Sequence, residues 1–288
     1  MSKPPRLTLI AGPTASGKSA LALKLAKEKG AAIINADSQQ LYADLRVLTA
    51  RPSAEDEQQA PHHLYGIADA SEAWSVGQWS RTLLDLLDSL GDQPALLVGG
   101  TGLYFNALTQ GLADIPPVPV ALRDQVQAQF DAEGEAQFRR LLAEHDLQSA
   151  TTITPGDRQR LVRALSVALG TERSLTAWKQ ATQPLLAPNS YDRLVIEPDR
   201  AQLYDNCDKR VLIMLKQGAL EEVRALMSRD LDPGLPAMKA VGVPELMAHL
   251  RGEAALATAI KLLQQSTRNY AKRQLTWFRN QCRDWPRT

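Results

Sequence analysis

The sequence has little cysteine, little histidine and no long apolar run. Its 288 residues include two cysteines, Cys207 and Cys282, and four histidines. Two cysteines cannot build a disulfide framework, and a structural zinc site needs about four ligands, so both kinds of cross-linked domain are excluded. No apolar segment approaches the ~18 residues of a membrane helix. The apolar run at residues 7–11 is also too short for a secretion signal. These absences predict a soluble protein of the cytoplasm that does not associate with membranes.

The composition is otherwise that of an ordinary globular protein. Hydrophobic residues make up 44% of the chain and charged residues 23%, and the net charge is +1, which argues against disorder, collagen and coiled coil. The charge is unevenly distributed, because residues 266–288 contain six basic side chains and one acidic side chain, Asp284. This basic tail indicates a polyanionic partner, with a solvated helix face as the alternative.

Short apolar runs alternate with amphipathic stretches in the first 110 residues. The pattern predicts strands over residues 6–11, 31–35 and 95–98 and helices over residues 18–29, 76–90 and 103–108. Strands that alternate with helices are typical of a parallel, doubly wound sheet, so the predicted class is α/β.

The pattern changes at the proline-rich segment 115–119. Charged helical stretches without strand signals follow it, over about residues 121–145, and we interpret residues 115–150 as a mainly helical insertion. A returning strand is predicted over 193–196, followed by helical stretches over 202–227 and 254–281. The expected organisation is therefore an α/β core made of residues 1–114 and 151–288, interrupted by the insertion.

Residues 12–19 read GPTASGKS and match the phosphate-loop (P-loop) pattern G-x-x-x-x-G-K-[ST] between a predicted strand and a predicted helix. The glycines let backbone N–H groups converge on phosphate oxygens, and the helix N-terminus adds positive potential. Lys18 supplies a cation for the terminal phosphates, and the Ser19 hydroxyl can reach Mg²⁺. The motif predicts binding of a diphosphate or triphosphate without specifying a kinase. The expected ligand-binding residues are Gly12, Pro13, Thr14, Ala15, Ser16, Gly17, Lys18 and Ser19.

Two polar side chains follow the next two predicted strands. Asp37 comes after the second strand, and Thr101 lies in the run Gly99-Gly100-Thr101-Gly102 after the third. The carboxyl ends of parallel strands form the ligand crevice of such folds. Asp37 is therefore a candidate to hold magnesium or take a proton, with a helix N-cap as the alternative. Thr101 offers a hydroxyl, although glycine-rich strand ends are also ordinary turn chemistry.

Taken together and in this order, the three segments resemble the tRNA dimethylallyltransferase (tRNA isopentenyltransferase) family. Further similar blocks lie at residues 61–64, 157–165, 218–223, 241–245 and 272–279, so the resemblance spans residues 6–280. It implies a P-loop NTPase-like core and transfer of a dimethylallyl group from dimethylallyl diphosphate to N6 of an adenosine. That adenosine lies next to the anticodon of tRNA, on its 3′ side. Eukaryotic members often add a zinc finger, so a chain ending near Arg287 favours the bacterial type, and a monomer is expected.

The resemblance also implies catalytic roles. Asp37 is expected to be the general base for the weakly nucleophilic amine, with Thr101 orienting it and touching the base edge. The P-loop is expected to hold the diphosphate leaving group, with Mg²⁺ near Ser19. Arg210 is expected to steady the diphosphate. The block Asn206-Cys207-Asp208-Lys209-Arg210 lacks the first arginine that is common in the family, which leaves Arg210 alone there.

Contacts with the tRNA anticodon stem-loop are implied for several segments. The target base must leave its stack, cations pair with phosphates, and unstacked bases lie on aromatic rings or guanidinium planes. Phe278 is predicted to be a core residue, and His62 and His63 are predicted to be structural. The implied tRNA contacts are Asp37, Ser38, Gln39, Gln40, Thr101, Arg123, Gln159, Arg160, Leu161, Val162, Arg163, Lys239, Val241, Gly242, Lys272, Arg273, Gln274, Trp277 and Arg279.

Three other functions remain open from the sequence. A P-loop nucleoside or nucleotide kinase would consume ATP and would not need the basic tail. An adenylate isopentenyltransferase would share the first half of the chain and use free nucleotide, again without need of the tail. A non-enzymatic RNA-binding module would use nucleotide only as a switch and would leave Asp37 and Thr101 without a task. The basic tail favours tRNA as the substrate.

Overall fold

The computed structural model describes residues 6–288 and contains a five-stranded sheet in which every neighbouring pair of strands is parallel. The spatial order is β3-β2-β4-β1-β5. The strands are β1 (Leu7–Ala11), β2 (Ala32–Asn35), β3 (His62–His63), β4 (Ala95–Gly99) and β5 (Tyr191–Val195). The predicted mixed α/β class with a parallel sheet flanked by helices is confirmed.

Twelve α-helices and a 3₁₀ turn at Ala237–Lys239 connect the strands within the described residues. None of these helices is long and apolar enough to cross a membrane. The helices are α1 (Lys18–Lys29), α2 (Ala54–Gln59), α3 (Val76–Ser89), α4 (Gly102–Thr109), α5 (Val120–His145), α6 (Leu147–Thr152), α7 (Arg158–Thr171), α8 (Leu175–Gln180), α9 (Arg200–Lys216), α10 (Ala219–Met227), α11 (Val243–Leu250) and α12 (Leu256–Gln281).

Strand β1 is buried along its whole length. Because a parallel strand is covered by helices on both faces, it needs a continuous apolar run in place of alternation. On one face of the sheet, Trp79 and Phe105 pack with Phe278, which is fully buried as predicted. On the other face, Ile10 and Ile33 pack against α1. Apolar runs therefore predicted β1, β2, β4 and β5 well, whereas the two-residue edge strand β3 carries too short a pattern to be read.

The chain divides into two compact units. One contains the residues up to Thr109 together with Leu186–Thr288, and the other is Gln110–Leu185. The second unit comprises α5–α8 and has its own core, in which Phe138 and Leu142 pack with Leu161. This helical unit extends beyond the 115–150 expected from the sequence because α7 supplies part of that core.

The chain segment Pro286–Thr288 covers the outer edge of β5 at its carboxyl end, Val195. The N–H of Val195 donates to the carbonyl of Pro286 at 2.8 Å, and the N–H of Thr288 donates to the carbonyl of Val195 at 3.1 Å. The N–H of Glu197 donates to the carbonyl of Thr288 at 2.9 Å. These bonds satisfy backbone groups that an edge strand otherwise leaves to solvent.

Candidate active site

The P-loop, residues 12–19, connects β1 to α1 as predicted. Gly17 has φ 89° at the N-cap of α1, and Ala15 also has a positive φ of 61°, which is the tight turn that brings backbone N–H groups together. The Lys18 ammonium donates to the carbonyl of Pro13 at 3.1 Å and is buried. Burial lowers the pKa of Lys18 to about 8, although Asp37 opposes the shift. An anion bound beside this buried ammonium favours its charged form, so ligand binding is expected to raise the pKa of Lys18 again.

Two hydroxyls of the P-loop are free for a ligand. Ser16 Oγ is buried and, within residues 6–288, has no hydrogen-bond partner. Ser19 lies exposed in the first turn of α1. Because a buried polar atom without a partner is costly, the unpaired Ser16 hydroxyl indicates that this loop is completed by a ligand with acceptor oxygens.

Asp37 is held at the end of β2 by Asn35. The Asn35 side chain accepts from the N–H of Asp37 at 2.8 Å and donates to the carbonyls of Asp37 and Leu64, both at 3.0 Å. Asp37 is 7% exposed, and one of its carboxylate oxygens accepts from the N–H of Gln39 at 3.0 Å. The sequence analysis missed Asn35, although a polar residue at the end of an apolar strand is a signal that could have found it.

Thr101 lies beside the Asp37 loop and bonds to its neighbour Ser38. The Ser38 N–H donates to Thr101 Oγ1 at 2.9 Å, and the Thr101 hydroxyl donates to Ser38 Oγ at 3.2 Å. Within residues 6–288 no hydrogen bond joins Thr101 directly to Asp37, and Thr101 is connected to the carboxylate through Ser38 and through Tyr270. Gly99 permits this approach, since a Cβ there would lie 1.9 Å from the carbonyl oxygen of Ala36.

One pocket brings Asp37, Lys18, Ser19 and Arg210 together. Arg210, on α9, donates to the carbonyl of Thr49 at 2.9 Å. Burial lowers the pKa of Arg210, and the charge of Asp37 partly restores it. The pocket therefore brings two cations and the Ser19 hydroxyl, which could coordinate magnesium, together with one carboxylate, and the roles expected for these residues stay predictions.

A larger cavity of about 590 Å³ is lined by the P-loop and by residues that follow Asp37 in the chain, among them Val47 and Tyr65. Lys18, Ser19 and Arg210 line both this cavity and the Asp37 pocket. The phosphate-binding cations therefore lie between the small Asp37 pocket and a roomier space whose lining mixes apolar side chains with charged ones such as Arg46, Arg51 and Asp56.

Tyr270, on α12, also lines the Asp37 pocket, and the sequence analysis missed it. Burial and the charge of Asp37 raise its pKa, and hydrogen bonds with Gln39 and Thr101 oppose that shift. Its ring lies 5.7 Å from the Arg273 guanidinium. Tyr270 therefore keeps its proton and connects the pocket to the basic face of α12. Its position follows helical periodicity alone, so no local motif distinguishes it.

The expected tRNA contacts on α12 occupy different environments. Lys272 and Arg273 are exposed, and within the described part of the chain neither forms a salt bridge. Arg279 pairs with Glu197 at 2.7 Å. Trp277 packs against the position of Gly102, where a Cβ would lie 2.2 Å from its ring. The two unpaired cations are therefore the side chains of this group most available to a polyanion.

The segment 239–242 lies beside the Asp37 loop. The Val241 N–H donates to the side-chain oxygen of Gln39 at 3.2 Å, and Lys239 is exposed. Gly242 has φ 101° and begins α11. Gln40 is occupied within the protein, because its amide donates to the carbonyls of Thr49 and Ala50, both at 2.9 Å.

In the helical unit, the residues 159–163 that were expected to contact tRNA lie on two different faces of helix α7. Gln159, Arg160 and Arg163 are exposed, whereas Leu161 and Val162 are buried in that unit's core. Partial burial lowers the pKa of Arg163, and the charge of Arg123 lowers it further. The charge of Arg123 therefore reaches Arg163, and both side chains are exposed in the helical unit.

Within residues 6–288, no group of three or more histidine, cysteine, aspartate or glutamate side chains could hold a metal ion. A magnesium ion here must take oxygen ligands from elsewhere, and it commonly keeps waters and substrate phosphates. The Ser19 hydroxyl and the Asp37 carboxylate, which line one pocket, have the chemistry that such an ion accepts.

Fold and site together define a P-loop protein of the parallel α/β class, with a carboxylate placed beside its phosphate-binding cations. The family model described as "IPP transferase" matches residues 40–281, and that described as "Isopentenyl transferase" matches residues 5–69. The chain therefore belongs to the IPP transferase family, and the resemblance inferred from the motifs is confirmed.

Similar curated proteins agree. A tRNA dimethylallyltransferase of Caulobacter sp. strain K31 is 56% identical over 98% of this chain and 92% of its own length. One from Phenylobacterium zucineum is 54% identical with the same two coverages. The crystal structure of a tRNA isopentenylpyrophosphate transferase from Bacillus halodurans is 32% identical, with a TM-score of 0.67 over 98% of this chain and 89% of that one. A eukaryotic dimethylallyltransferase acting on tRNA, at 24% identity and TM-score 0.79, covers 94% of this chain and 69% of that one and shares the fold.

Proposed function

We propose that this chain transfers a dimethylallyl group from dimethylallyl diphosphate to N6 of the adenosine adjacent to the anticodon of tRNA, on its 3′ side. The observation that carries the proposal is the pocket in which the Asp37 carboxylate faces Lys18, Ser19 and Arg210. Kinases also place a carboxylate beside the phosphates, so the choice of transfer over phosphorylation is supported by the match to the IPP transferase family together with this pocket.

Asp37 acts as the general base. The lone pair of an exocyclic amine is delocalised into the ring, so the amine needs to lose a proton as the new bond forms. The N6–C1 bond forms while the C1–O bond to diphosphate breaks, and the bonding electrons leave with the diphosphate. The N6 proton passes to Asp37, which Asn35 holds in place. Thr101 and Ser38 border the adenine ring.

The P-loop holds the departing diphosphate. Lys18, Arg210 and the unpaired Ser16 hydroxyl supply charge and donors where negative charge develops. Mg²⁺, held by Ser19 and by oxygens of the diphosphate, would neutralise part of that charge. The same loop serves kinases, but here it grips a leaving group and no phosphoryl group moves.

The tRNA is held by the exposed cations. Lys272 and Arg273 lie on the helix that carries Tyr270 into the pocket, so they are suited to phosphates of the anticodon loop. In the helical unit, Arg123 and Arg163 form a second basic patch. The enzyme is proposed to work as a cytoplasmic monomer.

The test is an incubation of the protein with Mg²⁺, radiolabelled dimethylallyl diphosphate and unmodified bulk tRNA, beside a parallel mixture with AMP. Label in tRNA adenosine alone supports the proposal. Label in AMP alone indicates an adenylate isopentenyltransferase. No label in either mixture, with ATP consumed when it is supplied, indicates a P-loop kinase and refutes the assignment of Asp37.

A further inference from the structure

Gln274 of α12 is buried between two loops of the site and bonds to both. Its side-chain oxygen accepts from the N–H of Thr14 at 2.8 Å, and its side-chain amide donates to the carbonyl of Gly100 at 2.9 Å. The residue is 6% exposed. Although the resemblance implies a tRNA contact here, both ends of the amide are engaged within the protein.

The two bonded loops hold the two reacting partners of the proposed reaction. Thr14 belongs to the P-loop, and Gly100 directly precedes Thr101. Space for the amide is reserved by glycine, since a Cβ at Gly100 would lie 2.1 Å from the Gln274 nitrogen. The strands that lead into these loops pair as far as Ala11 and Gly99, and the N–H of Gly12 donates to the carbonyl of Gly99 at 3.3 Å, so the Gln274 amide adds its two bonds just beyond the end of that pairing.

We infer that Gln274 is a positioning residue that fixes the P-loop relative to the Gly99–Thr101 turn and so sets the distance between the attacking amine and the departing diphosphate. The inference rests on the proposed transfer reaction. Reacting atoms need to lie about 3–3.5 Å apart, and a misplacement of about 1 Å can cost 10²-fold in rate. Substrate binding depends much less on such a shift than the chemical step does.

Gln274 also joins the site to the basic face of α12. Lys272 and Arg273 are exposed immediately before it in the same helix.

The first test is the Gln274→Met variant, which keeps the side chain's length and removes both hydrogen bonds. We expect the single-turnover rate at saturating substrates to fall by about tenfold or more, with KM for the donor and for tRNA within about threefold of wild type. The control is Leu87→Ala on α3, which leaves a cavity in the same core close to Arg6, at the amino end of β1 and away from both loops, and so lowers the melting temperature without touching the site. Its rate should equal that of wild type below the melting transition.

The second test is the Gln274→Glu variant, whose bonding changes with pH. The neutral carboxyl accepts from the N–H of Thr14 and donates to the carbonyl of Gly100, as the amide does, whereas the ionised carboxylate faces that carbonyl without a proton. Burial raises the pKa of such a carboxyl. We expect the ratio of variant to wild-type rate to rise as the pH falls, and taking the ratio removes any pH effect that the two proteins share.

The outcomes separate three roles. A lower melting temperature with an unchanged rate in Gln274→Met overturns the inference and leaves a structural residue. A raised KM for tRNA alone, with the rate unchanged, overturns it in favour of a tRNA contact. If Gln274→Met does not fold, a ratio for Gln274→Glu that is independent of pH overturns it. Failure of the wild-type protein to transfer label would refute the proposed function itself.

Discussion

Replacing the proposed base by its amide gives the sharpest test of the chemistry. In Asp37→Asn the side-chain oxygen can still accept from the N–H of Gln39, and Asn35 still holds the backbone. The pocket keeps its shape and loses the carboxylate, which is the proton acceptor and also a charge that favours the protonated form of Lys18. A positioned general base contributes about 10²–10⁴-fold, so we expect the transfer rate to fall by at least ~10²-fold, or ~2.7 kcal/mol of barrier.

The assay is a single turnover of radiolabelled donor with excess enzyme, which reports chemistry apart from product release. It is run near pH 7, below the Lys18 pKa of about 8. This pH favours the protonated form of Lys18 in the variant, which lacks the Asp37 charge that raises the pKa of Lys18. The dissociation constant for tRNA should stay within about threefold of wild type. Asp85→Asn, an exposed change of equal charge on α3, is the matched control. A rate for Asp37→Asn within about threefold of wild type would remove Asp37 from the mechanism.

The remaining predictions concern binding and stability. Lys272→Ala and Arg273→Ala should each weaken tRNA binding and reduce the slope of log K against log salt by about 1. Arg279 is already paired with Glu197, so Arg279→Ala should change this slope less. Binding titrations at several salt concentrations measure the slopes. Diphosphate binds better when Lys18 is charged. Its dissociation constant, measured by calorimetry, should therefore be constant below the Lys18 pKa of about 8 and rise by up to about tenfold per pH unit above that value. A dissociation constant that stays unchanged up to pH 10 would contradict this. Asn35→Ala removes three buried hydrogen bonds and should lower the free energy of unfolding, measured by urea denaturation, by about 2–4 kcal/mol. A loss under about 0.5 kcal/mol would show that the Asp37 loop keeps its conformation without Asn35.

The features predicted well from the sequence are local in the chain. The P-loop is eight consecutive residues between a strand and a helix, and its backbone geometry follows from Gly12, Gly17 and Lys18 themselves. Asp37 and Thr101 were found because parallel strands end at one edge of a sheet. The alternation of apolar runs and amphipathic stretches predicted most strands and helices for the same reason.

The features that the sequence did not reveal depend on contacts between distant segments. Gln274 reaches a backbone N–H 260 residues away, and Arg210 reaches a carbonyl 161 residues away. Neither bond leaves a spacing signature, because the partner is a backbone group that any residue provides. Tyr270 follows the ordinary helical period of α12 and becomes a pocket residue only through how that helix docks.

The pairing of Pro286–Thr288 with β5 bears on how the protein avoids self-association. Exposed sheet edges act as templates that recruit strands from other molecules. Here the carboxyl end of the β5 edge is occupied by the chain's own backbone at Val195 and Glu197, and the opposite edge, β3, is only two residues long. The length of free edge with which another strand could pair is therefore reduced at both borders of the sheet, which lowers its capacity to recruit strands from other molecules.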